Sequence, residues 1–352
     1  MVKRDIIVIG ASAGGVLLLR DLVKNLSTNL DATFFIVQHV SPHVRSFLPE
    51  ILSKQGGLSA EHAVDGQLIE KNKVYVAPPD YHLILEKDRM LVRKGPKENR
   101  SRPAIDVLFR SAAYSFGPRV VAVLLSGMLS DGTSGIYAVK NYGGTCVVQD
   151  PEDAEFPDMP RNALEYTEAD FLVTSSEIVP VLEKLVQTKV KAKKSNGAAA
   201  RERKRLKTEI AIAAQDNAFD NGVMEIGELS PLTCPECNGA LISIEEGKHK
   251  RYRCHTGHAF SPDDLMAGMT KAVEEDMWKA VRGLEETVML LGEMEKSFTQ
   301  LENKSAARQC RNTANQIRKR AATLRKTIVE ERHDEEEHVN KRSVSKKPQA
   351  KQ

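Results

Sequence analysis

A serine held in a glycine-rich turn is the first residue of this chain whose setting could do chemistry. Gly10-Ala11-Ser12-Ala13-Gly14-Gly15 follows the apolar run Ile6-Ile7-Val8-Ile9. Gly-x-Ser-x-Gly at a strand-to-helix junction is the pattern of a nucleophile elbow. The helix that follows would offer free N–H groups and its positive dipole end to a developing oxyanion. Two other readings compete: a serine that merely caps the helix, and a degenerate dinucleotide loop. The second fits poorly, because Ser12 replaces the middle glycine and the next strand ends in Gln38-His39 rather than an acid. Two further residues favour the nucleophile. His39 ends the run Phe35-Ile36-Val37-Gln38, and Asp131 lies in Ser126-Gly127-Met128-Leu129-Ser130-Asp131-Gly132 after another apolar run. In a parallel sheet Ser12, His39 and Asp131 would emerge at one carboxyl edge, where open α/β folds place their sites. The histidine could then take the serine proton while the carboxylate orients the imidazole. The chain order Ser, His, Asp differs from that of α/β-hydrolases, in which the acid precedes the histidine.

A second cluster lies far downstream, in Cys234-Pro235-Glu236-Cys237 and Cys254-His255-Thr256-Gly257-His258. Zinc takes four sulfur or nitrogen ligands in a tetrahedral array, and a Cys-x-x-Cys knuckle supplies two of them from one turn. Cys234, Cys237, Cys254 and His258 are the expected ligands of a structural zinc, with His255 competing for the fourth place. Residues 240–244 and 251–253 would form a small hairpin bringing the two pairs together. A redox role for Cys-x-x-Cys lacks its usual strand–helix context. Cys146 and Cys310 have no partner by spacing, and an odd total of five cysteines is not a disulfide framework.

The elements that must position these groups can be read from hydrophobic periodicity. Val- and Ile-rich runs at 6–10, 34–40, 74–77, 120–127, 145–148 and 171–173 are apolar on both faces, as parallel strands covered by helices are. Helical patterns lie between them at 15–26, 104–115 and 134–142, and 82–93 reads as a β-hairpin around Lys87-Asp88-Arg89. The expected fold is α/β, a doubly wound, largely parallel three-layer sheet domain over residues 1–187. A basic linker is expected over 188–228, a zinc-ribbon-like module over 229–263, a helical hairpin over 264–332 and a disordered charged tail over 333–352. The hairpin rests on Leu284, Val288, Leu291, Met294 and Phe298 facing Ile317, Ala321, Leu324 and Ile328, with a break near Glu302-Asn303-Lys304. Its helices could pack on themselves, self-associate or dock against another protein.

Composition narrows the function by exclusion. With 51 basic and 48 acidic residues the net charge is +3, which points to no nucleic-acid partner. No apolar run approaches the roughly 20 residues of a membrane span. The N-terminal run is too quickly interrupted for a signal peptide, so a cytoplasmic protein is expected.

Six segments together carry a resemblance. They are the Ser12 turn, Val37-Gln38-His39, Val76-Ala77-Pro78-Pro79-Asp80-Tyr81-His82, Arg102-Pro103-Ala104-Ile105-Asp106-Val107-Leu108-Phe109, the Asp131 loop and Met159-Pro160. In this order they resemble the catalytic domain of chemotaxis protein-glutamate methylesterases, the CheB family, over residues 4–187. The resemblance implies hydrolysis of glutamyl γ-methyl esters on chemoreceptor coiled coils, with deamidation of receptor glutamines as a second activity. It makes Ser12 the nucleophile, His39 the base and Asp131 the orienting acid, and puts the Met128 N–H at the oxyanion. It implies no catalytic cofactor. Many relatives carry Thr where this chain has Ala13, which keeps only the backbone donor. Family members usually begin with a receiver domain, whereas this chain starts at the catalytic strand, so that control is expected to be absent in cis. Segments like Cys-Pro-x-Cys and Gly-His-Ala-Phe accompany some receiver-less members. The alternative is a non-catalytic adaptor that binds receptors through its zinc and helical regions, against which the intact Ser12/His39/Asp131 set argues.

Overall fold

Strands that are apolar on both faces need cover on both sides, and the chain supplies it. The computed structural model describes residues 2–190, 197–214 and 217–344. Strand β1 (Val2–Lys3) pairs antiparallel with the later β11 (Lys189–Val190). Strands β2 (Ile6–Ala11), β3 (Thr33–Gln38), β4 (Ser59–His62) and β5 (Lys73–Val76) share a sheet with β8 (Val120–Leu124), β9 (Thr145–Gln149) and β10 (Phe171–Val173). Every pairing is parallel, in the order β10-β9-β8-β2-β3-β5-β4. Between β5 and β8 the expected hairpin forms from β6 (His82–Glu86) and β7 (Arg89–Arg93).

Alternation along β2 divides the core. Ile7 and Ile9 pack under α1 (Gly15–Asn25), α2 (Leu48–Gln55) and α6 (Ile178–Gln187). Ile6 and Val8 pack on the opposite side, under α3 (Ile105–Phe116), α4 (Thr133–Asn141) and α5 (Asp158–Tyr166). This is the expected three-layer doubly wound architecture. The chain runs outward from β2 to β3 and later returns to β8 on its other side, so the end of β2 is a topological switch point.

Residues 188–228, expected as a linker, contain structure of their own. Helix α7 (Gly197–Ala214) buries Leu206, Ile212 and Ala213 and packs on α3 and on the β6–β7 hairpin. Its Ala, Arg, Lys and Glu residues are good helix formers. Their charge hides the apolar positions 206, 210 and 213, which share one face at spacings of four and three.

The Cys/His region forms a four-stranded antiparallel sheet of β12 (Glu228–Thr233), β13 (Ala240–Glu246), β14 (His249–Cys254) and β15 (Ala259–Phe260). The chain divides into two compact units, Met1–Gly268 and Met269–Gln352, so α7 and the ribbon belong to the unit of the parallel sheet. Helix α8 (Pro262–Gln300) begins in the first unit, and the second unit holds the rest of it, from Met269, with α9 (Lys304–Val344). The turn falls where the sequence breaks, with Glu302 at φ 56°. Ala314, Ala321 and Ile328 are buried along one face of α9, and Arg311–Glu295 and Arg325–Glu285 pair across the hairpin. Of the expected α8 face, Leu284, Val288, Leu291 and Phe298 are half-buried and Met294 is exposed. Part of the tail expected to be disordered is instead helical as far as Val344, and 345–352 lie outside the described residues.

Candidate active site and metal cluster

The end of β2 delivers Ser12 into a turn closed by Gly14 at φ 74°, where glycine is favoured. The Ser12 carbonyl accepts from Gly15 N at 3.0 Å, and Ser12 N donates to the Ser126 carbonyl at 3.0 Å. The neighbouring strand β3 ends one residue before His39, whose N–H donates to the Ala11 carbonyl at 3.1 Å. Parallel register therefore sets the two side chains beside each other. His39 Nδ1 lies 3.1 Å from Ser12 Oγ, and His39 Nε2 lies 2.8 Å from Asp131 Oδ2. The three residues that the sequence assigns to one sheet edge thus form a continuous hydrogen-bonded chain.

Asp131 is buried and accepts from every side. Its Oδ2 also receives Ile105 N at 2.7 Å, and its Oδ1 receives Asn99 Nδ2 at 2.8 Å, Gly132 N at 3.0 Å and Asp106 N at 3.1 Å. Burial alone would raise its pKa, but the hydrogen bond and charge of His39, with the Ile105 and Asn99 donors, hold it below the usual carboxylate range. An ionised Asp131 can only accept, so the neutral His39 carries its proton on Nε2 and turns the Nδ1 lone pair to Ser12. Trypsin-like triads use the two ring nitrogens the other way round.

Asp106 is the second buried carboxylate here. Asn99 Nδ2 bridges it to Asp131, donating to Asp106 Oδ2 at 2.8 Å. Asp106 Oδ1 accepts Gly135 N at 2.6 Å and Gly132 N at 3.1 Å, at the start of α4. Burial, followed by repulsion from Asp131, pushes the Asp106 pKa up to about 7. Two such close carboxylates resist ionising together, and the one facing His39 keeps the charge.

The floor of the site is built by Gln38, whose Nε2 donates to the Ser12 carbonyl at 2.8 Å, and by Gln149, whose Oε1 accepts Ser126 N at 2.9 Å. Gly127 runs so close that a Cβ there would lie 2.8 Å from Ser12 Cβ and would also collide with Met159 Sδ. Met128 follows on the exposed loop. Among the described residues, the N–H groups of Ala13 and Met128 have no acceptor.

Cys234, Cys237, Cys254 and His258 converge, their ligand atoms all within 4.8 Å of one another. Cys237 Sγ is 3.8 Å from Cys254 Sγ, and His258 Nδ1 is 3.6 Å from Cys254 Sγ and 3.7 Å from Cys234 Sγ. These four residues could hold a metal ion. His255 is exposed and lies outside the group.

Sequence reasoning quoted Gln38 and Asp106 within motifs without giving them a task, and it missed Asn99. In sequence Asn99 is one more residue of a polar loop; its place shows only in the structure, where it stands at φ 48° and Arg100 at φ 62°. It also missed a buried ion network. Glu98 pairs with Arg110 and Arg253, Glu209 with Arg253 and Arg251, and Arg251 with Glu246, joining α3, α7 and the ribbon.

An open parallel α/β sheet with hydrogen-bonded serine, histidine and aspartate at its switch point is the frame of a hydrolytic enzyme. The chain belongs to the CheB methylesterase family, whose model matches residues 7–182. A relative from Leptospira interrogans is 38% identical over 184 residues, which are 52% of this chain and 95% of its own. The protein-glutamate methylesterase/protein-glutamine glutaminase of Thermotoga maritima is 35% identical over 189 residues, 53% of this chain and 55% of that relative. The crystal structure of the Thermotoga maritima CheB methylesterase catalytic domain matches with a TM-score of 0.51 at 35% identity, covering 53% of this chain and all of that one. Among the described residues no helix is long and apolar enough to cross a membrane.

Proposed function

We propose that this protein hydrolyses γ-glutamyl methyl esters on a protein substrate, with Ser12 as nucleophile, His39 as general base and Asp131 as the orienting acid. The observation that carries the reading is the unbroken Ser12 Oγ–His39–Asp131 chain. Ser12 Oγ attacks the ester carbonyl as its proton passes to His39 Nδ1. The oxyanion is met by the N–H groups of Ala13, at the amino end of α1, and of Met128, on the loop after β8. The tetrahedral intermediate collapses, His39 returns the proton to the departing methoxide, and methanol leaves. Water then attacks the glutamyl-Ser12 ester, giving its proton to Nδ1, and the free carboxylate and Ser12 are regenerated. Asp131 stabilises the imidazolium formed at each stage. A primary amide with ammonia as leaving group fits the same steps, so glutamine deamidation belongs to the same proposal. No cofactor enters this chemistry.

The relatives' names support glutamyl esters as the substrate class. The protein substrate we infer is the cytoplasmic part of a methylated chemoreceptor, served by a cytoplasmic enzyme. The Cys/His cluster fits structural zinc. Ligands about 2.3 Å (sulfur) and about 2.05 Å (nitrogen) from a tetrahedral ion lie about 3.8 Å apart as a sulfur pair and about 3.6 Å as a sulfur–nitrogen pair. Three of the six separations, at 3.8, 3.6 and 3.7 Å, match, and all four ligand atoms lie within 4.8 Å of one another. Zinc there would hold the knuckles together and take no part in the ester chemistry. The test is methanol release from a methylated receptor fragment. Wild type should release it and Ser12→Ala should fall by a factor of about 10³ or more, whereas full activity in Ser12→Ala would rule the mechanism out.

A further inference from the structure

The loop between β7 and α3 has no regular structure of its own, yet it carries Asn99, the side chain that donates to Asp131. Its backbone is held by the ribbon. Ala259 N donates to the Lys97 carbonyl at 3.2 Å and Asn99 N donates to the Ala259 carbonyl at 2.8 Å, so Glu98 forms a single parallel bridge with Ala259 of β15. Ser261 N donates to Asn99 Oδ1 at 3.1 Å, fixing the amide so that its two hydrogens face Asp106 and Asp131. Glu98, one residue earlier, accepts from Arg253 at 2.7 Å, and Arg253 adjoins Cys254. The consecutive left-handed residues Asn99 and Arg100 persist only where surrounding contacts over-determine them.

The other flank of Asp131 is held from the same side. Ser130 Oγ, Ser261 Oγ and Asp264 Oδ2 form a buried triangle with edges of 2.6, 2.8 and 2.7 Å. Both neighbours of the acid, Asn99 in space and Ser130 in sequence, are thus anchored to residues 259–264. That segment begins immediately after His258. Within the knuckle, Cys254 N donates to the His258 carbonyl at 2.9 Å, so the metal-cluster residues set where β15 starts.

We propose that the Cys/His ribbon braces the acid of the triad, with Asn99 and Ser261 as positioning residues, so that metal occupancy of Cys234, Cys237, Cys254 and His258 sets the rate of ester hydrolysis. This rests on the esterase and zinc readings above and extends them to regulation: a thiophilic metal far from the ester carbonyl controls the geometry of His39 through Asp131. The expected signature is a change in kcat with KM preserved, because the Asn99 side chain bonds Asp131, Asp106 and Ser261 and acts on Ser12 only through Asp131 and His39.

The experiment uses the full chain, purified anaerobically with zinc, then stripped by a chelator under reducing conditions. Cys237→Ser, at the most accessible of the three cysteines, gives a second route to metal loss. The readout independent of turnover is the low-field NMR resonance of the His39 Nε2 proton shared with Asp131. Metal loss should shift or broaden it and lower kcat about 10–100-fold, and zinc should restore both. Asn99→Asp keeps a residue that tolerates positive φ and still accepts from Ser261 N, so it tests the brace without unfolding the loop. It should lower kcat at unchanged KM, because an acid at 99 is held protonated between Asp131 and Asp106 and donates one hydrogen bond where the amide donates two. Metal-free protein with an unmoved resonance and wild-type kcat would overturn the proposal, as would Asn99→Asp with wild-type kcat. Zinc-free protein from anaerobic purification would overturn the metal-control half. Activity in Ser12→Ala would instead sink the esterase reading, and the resonance would still report on the brace.

Discussion

Asp131 and Asp106 are bridged by one amide and treated oppositely by their surroundings. Asp131 is held ionised by His39 and backbone donors, whereas Asp106 is pushed up to about 7 by burial and by Asp131 itself. Their contributions to stability therefore run in opposite directions with pH. The Asp131 contribution is present above the unfolded carboxylate pKa near 4 and is lost on acidification through its lower folded value. For Asp106 the folded pKa lies above the unfolded one, so its contribution is full below about pH 4 and is lost as pH rises through 7. Asp106→Asn removes that loss. The variant's stability relative to wild type should rise by on the order of 2–4 kcal/mol between pH 4.5 and 7.5. Denaturant unfolding at three pH values would check this, and parallel stability–pH curves would refute it. The sequence shows Asp106 only as one polar residue in an apolar helix; its partner, Asn99, is seven residues away along an irregular loop.

Helix α7 and the ribbon show what periodicity can and cannot reveal. The central strands announce themselves, because each is a run rich in Val, Ile and Phe with both faces covered, whereas the edge strand β4, Ser59–His62, is half-exposed and carries no such run. The apolar face of α7 has meaning only against α3 and the β6–β7 hairpin, which lie about a hundred residues upstream in the chain. Its most telling residue looks solvated in sequence. Glu209 is fully buried and accepts from Arg251 at 2.6 Å and Arg253 at 3.1 Å. Burial would raise its pKa, but Arg251, Arg110 and Arg253 bring it well below the ordinary value. Glu209→Gln should destabilise the protein by about 3–5 kcal/mol, since it leaves buried guanidinium groups under-paired. The exposed pair between Lys204 of the same helix and Glu225 beyond its end is the control, and its removal should leave the urea midpoint unchanged.

For the whole molecule the division falls at residue 268, not at 187. The family match ends at residue 182, but the compact unit that holds the parallel sheet runs on through α7 and the ribbon. Truncation after 187 would remove Ala213 from its place beside Ile84, Ala104 and Val107, and would leave Glu98 and Arg110 without Arg253. A protein ending at 268 should melt cooperatively at the temperature of the corresponding transition in the full chain and keep its activity. One ending at 187 should melt at lower temperature with reduced kcat. Calorimetry and methanol release on the two truncations would decide, and equal behaviour would show that the ribbon and α7 are appendages.

By itself the sequence determined six of the seven strands of the sheet, the sharp turn at Ser12, the trio Ser12, His39 and Asp131 at one edge and the three clustered cysteines. Those features rest on local causes: strand periodicity, turn chemistry, and the rule that parallel strands end on the same side. Only the tertiary structure decided which nitrogen of His39 faces Ser12, why His258 rather than His255 joins the cluster, and that Asn99 ties the acid to the ribbon. Each of these depends on where groups far apart in sequence come to rest, as Asn99 and Ser261 do. The cost of leaving a buried polar group unpaired then selects among positions that sequence spacing alone leaves equivalent.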